Sequence, residues 1–83
     1  MKFLFHTIIH FNSNPVYYNI YSCANGGYFA EILDNPSKII EAKNFRLERV
    51  NQNWCSSERI PERICDEVGE EILSHSCHSS KLS

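Results

Sequence analysis

Eighty-three residues, 42% apolar and 22% charged, have the balance of one globular domain and no more, and a chain this short buries only about 60% of the surface it exposes when unfolded. Eight Lys and Arg against ten Asp and Glu leave a net charge of −2, so the positive excess that a phosphate backbone demands is missing and nucleic-acid binding is disfavoured. No stretch approaches the ~20 consecutive apolar residues of a membrane helix.

The first element is a strand over Phe3 to Phe11. Alternation puts Phe3, Phe5, Thr7, Ile9 and Phe11 on one face and Leu4, His6, Ile8 and His10 on the other, and the first face is the expected core. Asn12-Ser13-Asn14-Pro15 is a turn cluster. Val16 to Cys23, rich in β-branched and aromatic residues, is a second strand. Asn25-Gly26-Gly27 supplies residues tolerant of positive φ, as a tight hairpin needs, and Tyr28 to Leu33 returns as a third strand.

Asp34-Asn35-Pro36-Ser37 breaks the pattern. Lys38 to Lys43 is a connection whose Ile39-Ile40 pair tucks against the sheet edge or starts a turn. Asn44 to Val50 reads as a fourth strand, Asn51-Gln52-Asn53 as a turn, and Trp54-Cys55 as a short fifth strand. The periodicity then changes. From Ile60 to His75, Ile64, Val68 and Ile72 recur every four residues with Cys65 beside them, which predicts one amphipathic helix. Ser57 or the residues just after it would cap it, and Pro61 is tolerated only within its first turn, where the missing N–H has no helical partner. Gly69 costs about 1 kcal/mol against Ala inside a helix, so its expected role is close packing on the sheet. Residues 76–83, poor in apolar side chains, are expected to form a flexible C-terminal tail beyond a single domain of residues 1–75.

The apolar start, Met1 to Phe5, is interrupted by His6, His10 and Asn12 and is followed by no small-residue cleavage site, so a cytoplasmic location is expected. In that reducing setting Cys23, Cys55, Cys65 and Cys77 are expected to be free thiols, and none stands in a Cys-x-x-Cys pair.

Few constellations carry chemistry. His6 and His10 share a strand face but lie about 13 Å apart at ~3.3 Å per residue, too far to hold one ion. His75, Cys77 and His78 are zinc-competent but abnormally close in sequence, with no paired ligands in a second segment, so no metal or other cofactor is expected. Lys38, Lys43, Arg46, Arg49, Arg59 and Arg63 are interleaved with Glu41, Glu48, Glu58 and Glu62, the pattern of mixed solvated surface. Asn25-Gly26-Gly27 lacks the spacing and following helix of a phosphate cradle. Glu31 is expected in water, on the face opposite Tyr28, Ala30 and Ile32.

The second strand poses a different problem. Tyr17 and Tyr21 face one way while Val16, Tyr18 and Ile20 face the other, yet one short helix covers only one side of a sheet. Exposed aromatic surface of this kind marks interaction sites. The expected fold is therefore α+β, an antiparallel β-meander of four to five strands with one C-terminal helix packed on one face. The expected role is a non-enzymatic binding module, homodimeric through Tyr17 and Tyr21 or bound there to another protein. The competing class is a small enzyme or ligand-binding protein with a site in a groove of the sheet, for which a pocket joining Glu31, a histidine and a cysteine would speak.

Overall fold

The computed structural model describes residues 1–56 and 58–82, with side chains as far as His75. Five strands follow in chain order: β1 (Lys2–Phe11), β2 (Asn14–Ser22), β3 (Tyr28–Asp34), β4 (Phe45–Val50) and β5 (Asn53–Cys55), before the helix α1 (Glu62–Leu82). The strands form one antiparallel sheet in the order β1-β2-β3-β4-β5, so each strand pairs with its neighbours in sequence and no crossover is needed. This is the meander with one C-terminal helix. The expected tail at 76–83, including Cys77 and His78, has its side chains outside the described residues, as does the expected cap Ser57.

Tight turns set the strand ends. Asn12 and Ser13 have φ of 51° and 71°, and Asn51 and Gln52 have φ of 52° and 69°, so two-residue loops in the left-handed region join β1 to β2 and β4 to β5. That geometry matches the twist of the flanking strands, and it lets Asn14 and Pro15 already pair with Phe11 and His10. Between β2 and β3, the Gly26 N–H donates to the Cys23 carbonyl at 3.1 Å and the Cys23 N–H to the Gly27 carbonyl at 2.8 Å. Gly26, at φ 94°, takes the conformation that side chains resist.

The inner face carries the core: Phe5, Ile9 and Phe11 of β1, Val16, Tyr18 and Ile20 of β2, Ala30 of β3, Phe45 and Leu47 of β4, and Trp54 of β5. Against it lie Ile64, Cys65, Val68 and Ile72, the helix stripe read from the four-residue period. The helix begins at Glu62, two residues later than expected, because the Pro61 carbonyl accepts the N–H groups of Ile64 at 2.9 Å and Cys65 at 3.2 Å and so acts as its first acceptor.

Both sheet edges reach this one helix. On the β1 side, the Thr7 hydroxyl donates to Glu71 at 2.6 Å and the Phe5 ring stacks on His75 at 4.0 Å. On the β5 side, the Trp54 indole lies directly against Gly69. A flat five-stranded sheet could not offer both edges to one helix, so the sheet curls around α1, which spans its open side. Gly69 makes the approach possible, since a Cβ there would overlap the Trp54 ring.

Two strand irregularities alter the expected faces. Phe3 pairs with Tyr21 but Phe5 pairs with Ile20, so Leu4 is an extra residue in a β-bulge. Phe3, expected in the core, is thereby turned to the outer face and is 45% exposed. Between β2 and β3 the register shifts in the same manner at Leu33, which is left exposed.

The long connection from β3 to β4 is tied down by amides and one phenol. The Asn35 side chain accepts the Ile39 N–H at 3.0 Å and donates to the Ile39 carbonyl at 3.1 Å, which folds the segment into a compact loop. Ile39 packs against the core while Ile40 stands in solvent. The buried Tyr18 hydroxyl donates to the Lys43 carbonyl at 2.9 Å, and the Ile32 N–H to Asn44 at 2.8 Å.

Candidate functional site

The outer face of the sheet is ordered by register into three cross-strand rows. The first is aromatic: Phe3 of β1 pairs with Tyr21 of β2, which pairs with Phe29 of β3, and Arg46 of β4 ends the row. The second is polar, His6 with Asn19 and Asn19 with Glu31. The third sets Ile8 beside Tyr17, with Asp34 at its end. Phe3, Ile8 and Tyr17 are all exposed, and among the described residues no second layer covers them.

Within this face the polar groups satisfy one another. His6 Nδ1 and Asn19 Oδ1 are 2.6 Å apart, in hydrogen-bond contact, and the Tyr21 hydroxyl donates to a Glu31 oxygen at 3.0 Å. That bond to a carboxylate raises the Tyr21 pKa above its ordinary value, partial burial and the Glu31 charge adding to it, so the phenol stays protonated through the neutral range. The Phe3 ring packs edge to face on Tyr21 at 5.7 Å and lies tilted on the His6 imidazole at 4.8 Å.

Tyr17 and Tyr21 therefore stand on one face, as alternation predicts, but in different rows. Tyr21 is bonded to Glu31, whereas Tyr17 stands between Ile8 and Asp34. Ile8 and Phe29 fall on the outer face as alternation predicts, but Phe3 does not, because it takes the Leu4 bulge to carry it across, and only the register shows which of these side chains share a row.

Of the raw material for a nucleophilic site, Glu31 is bonded to Tyr21 and His6 to Asn19. Cys23, Cys55 and Cys65 are free thiols, Cys23 at the end of the β2 hairpin, Cys55 exposed on β5 and Cys65 buried on α1. Burial pushes the Cys65 thiol up, away from the thiolate form that a nucleophile needs. Among the described residues no three of His, Cys, Asp and Glu gather as a metal site, and no helix is long and apolar enough to cross a membrane.

Comparison with family models, with curated proteins and with solved structures gives no match.

Proposed function

We propose that the protein is a small non-enzymatic binding module that acts by self-association, two copies joining through the outer faces of their sheets. The observation that carries this reading is the row order: an aromatic row and an apolar row flank a polar row whose side chains are already hydrogen-bonded within the chain. Covering such a face removes apolar area from water while leaving few orphaned polar groups, which is the condition for a favourable interface.

A second copy is the partner that the pattern suits best. A two-fold axis lying in the interface along β2 sets aromatic row on aromatic row and polar row on polar row. It also reverses the polar row, placing the His6 imidazole of each copy opposite the Glu31 carboxylate of the other, a hydrogen-bonding donor type facing an acceptor.

The test is the solution mass, by light scattering over a range of micromolar concentrations, of the native protein and of a Tyr17→Glu, Tyr21→Glu variant. Both side chains are on the outer face, so the variant keeps its core. A native mass near twice 9.7 kDa that falls to 9.7 kDa in the variant is the expected result. A native mass of one chain at every concentration would refute self-association and leave a different protein as the occupant of this face.

A further inference from the structure

The sheet ends in two unlike edges. β5 is three residues long and its Trp54 lies against α1, whereas β1 runs for ten residues and, among the described residues, pairs with β2 alone. Which of its backbone groups are free follows from the β1–β2 turn. A two-residue loop makes its flanking pair, Phe11 and Asn14, exchange backbone bonds, and the alternation of an antiparallel ladder then turns Ile9, Thr7 and Phe5 toward β2 as well. His10, Ile8 and His6 point their N–H and C=O groups the other way, off the edge of the sheet. Two observations agree with this. His10 sits opposite Pro15, which has no N–H to give, and the Arg63 guanidinium reaches the His10 carbonyl from outside the ladder at 3.5 Å.

Proteins blunt such edges with Lys, Pro, a bulge or a short strand. β1 has Lys2 and the Leu4 bulge at its start, but Phe5 to Phe11 keeps an unbroken register, spans roughly 20 Å at ~3.3 Å per residue, and holds no Lys, Arg, Asp, Glu or Pro. What borders it is the flank of α1. The helix runs antiparallel to β1, with Arg63 beside His10, Glu71 accepting the Thr7 hydroxyl at 2.6 Å, and His75 stacked on Phe5. Glu67 lies four residues from both Arg63 and Glu71 and so on the same stripe, and exposed Glu70 adjoins it. The inner side of the free edge is thus overlooked by three carboxylates and one guanidinium, that of Arg63, which pairs with Glu67 at 3.7 Å.

We infer that the free edge of β1 docks an extended segment of a partner protein, added antiparallel as a further strand, in which basic residues alternate with apolar ones. Directly opposite residues of an antiparallel pair share a face. Segment residues opposite His6, Ile8 and His10 exchange backbone bonds with them and lay apolar side chains beside exposed Ile8. Those opposite Thr7 and Ile9 turn basic side chains to the inner side, toward Glu67, Glu70 and Glu71. The same flank argues against a second copy of this chain as the occupant, because pairing β1 with β1 about a two-fold axis sets the two acidic stripes side by side. Docking here is independent of the self-association proposed above. The backbone groups lie in the plane of the sheet, and a copy stacked on the outer face leaves them open.

The experiment follows amide shifts and hydrogen exchange in the uniformly ¹⁵N-labelled full chain, titrated with the end-capped peptide Lys-Val-Lys-Ile-Lys-Val-Lys. The controls are its Glu-Val-Glu-Ile-Glu-Val-Glu counterpart and two N-methylated forms of the basic peptide, one methylated at Val and Ile, the other at the two inner lysines. In the free chain the His6, Ile8 and His10 amides should exchange fast beside protected Thr7 and Ile9, and the basic peptide should protect all three saturably at millimolar concentration or below. Methylation at Val and Ile, which removes the N–H groups aimed at β1, should abolish that protection, and methylation at the lysines, whose N–H groups point away, should spare it. The acidic peptide should bind at least about tenfold more weakly, and Glu67→Gln with Glu70→Gln should narrow the gap by about three- to tenfold. Ile8→Pro deletes an N–H that the β1–β2 ladder does not use, so it should stay folded and lose the peptide, and the methylated peptides make the same test without altering the chain. The Tyr17→Glu, Tyr21→Glu variant should show the same protection whatever its mass, which keeps this inference separable from self-association. Unprotected edge amides, equal affinity for the two charge forms, binding that survives methylation at Val and Ile, or a footprint on another element would each overturn it. So would edge amides already protected in a dimeric Tyr17→Glu, Tyr21→Glu chain without peptide, since a second copy would then hold the edge.

Discussion

Adding a single methyl group at Gly69 should reverse the sign that helix propensity gives it. In an exposed helix, Gly→Ala stabilises by about 1 kcal/mol, because Ala loses less backbone freedom on folding. In α1 the new Cβ would overlap the Trp54 indole, clashing with Cδ2, Cε2 and Nε1 of the ring. The ring has little room to yield: it is 7% exposed and held between Tyr28, at 5.9 Å, and the Arg49 guanidinium, at 5.3 Å. Either the indole leaves its site or α1 lifts from the sheet, and lifting also opens the contacts of Ile64, Val68 and Ile72. Overpacking of this kind costs roughly 1–3 kcal/mol, and a displaced buried aromatic costs about as much again, up to the 3–5 kcal/mol of deleting one.

The net effect of Gly69→Ala is then a destabilisation of about 2–4 kcal/mol, or a fall in Tm on the order of 10–20 °C for a domain of this size. Urea and thermal unfolding followed by far-ultraviolet circular dichroism measure it. The same substitution in a Trp54→Leu background, where the indole is gone, should be neutral or stabilising, giving a coupling of about 3 kcal/mol in the double-mutant cycle. The chain's one tryptophan adds an independent readout, since its fluorescence should shift in Gly69→Ala if the ring is expelled. A Gly69→Ala protein as stable as the native one, or an additive cycle, would refute the close approach of α1 to β5.

Further outcomes follow from the same packing. Val68→Asp, at a position 2% exposed, places an unpaired charge in the core at a cost of several kcal/mol against a total of about 5–15, so the variant should lose its helical signal at 25 °C, and an unchanged midpoint would mean that the helix presents another face. Burial pushes the Tyr18 pKa up to about 12 from 10, outweighing the lowering by its bond to the Lys43 carbonyl. The unfolded phenol therefore ionises first, and stability that is constant below pH 10 should fall between pH 10 and 12, by about 2–3 kcal/mol for this group. Tyr18→Phe should cost about 1–3 kcal/mol at neutral pH, because the Lys43 carbonyl loses its donor, but should flatten that alkaline loss in urea titrations at each pH. Iodoacetamide labelling read by mass spectrometry should modify exposed Cys55 well before buried Cys65, whose thiol is raised by burial, and early labelling of Cys65 would contradict its place in the core.

What the sequence by itself determined are the features governed by local periodicity. Val16, Tyr18 and Ile20 point inward because alternate residues of a strand share a face, and Ile64, Val68 and Ile72 form one stripe because four residues make just over one helical turn. The hairpin at Asn25-Gly26-Gly27 was legible because only a few residue types tolerate positive φ. Gly69 announced a close approach, since a helix keeps glycine at its centre at a cost, but the residue it approaches is 15 positions away in the chain and could not be named.

Only the tertiary structure decided the rest. An extra residue at Leu4 carries Phe3 from the expected core to the outer face, and nothing in the alternation marks it, because a bulge is a property of the pairing between two strands. The division of the outer face into aromatic, polar and apolar rows depends on register, which joins Phe3, Tyr21 and Phe29 from three separate strands. The curl of the sheet, which lets one helix meet both β1 and β5, is the summed twist of five strands and has no local signature. The hollow of about 400 Å³ lined by Phe29, Arg46 and the β2–β3 turn arises in the same way, from β4 lying beside β3.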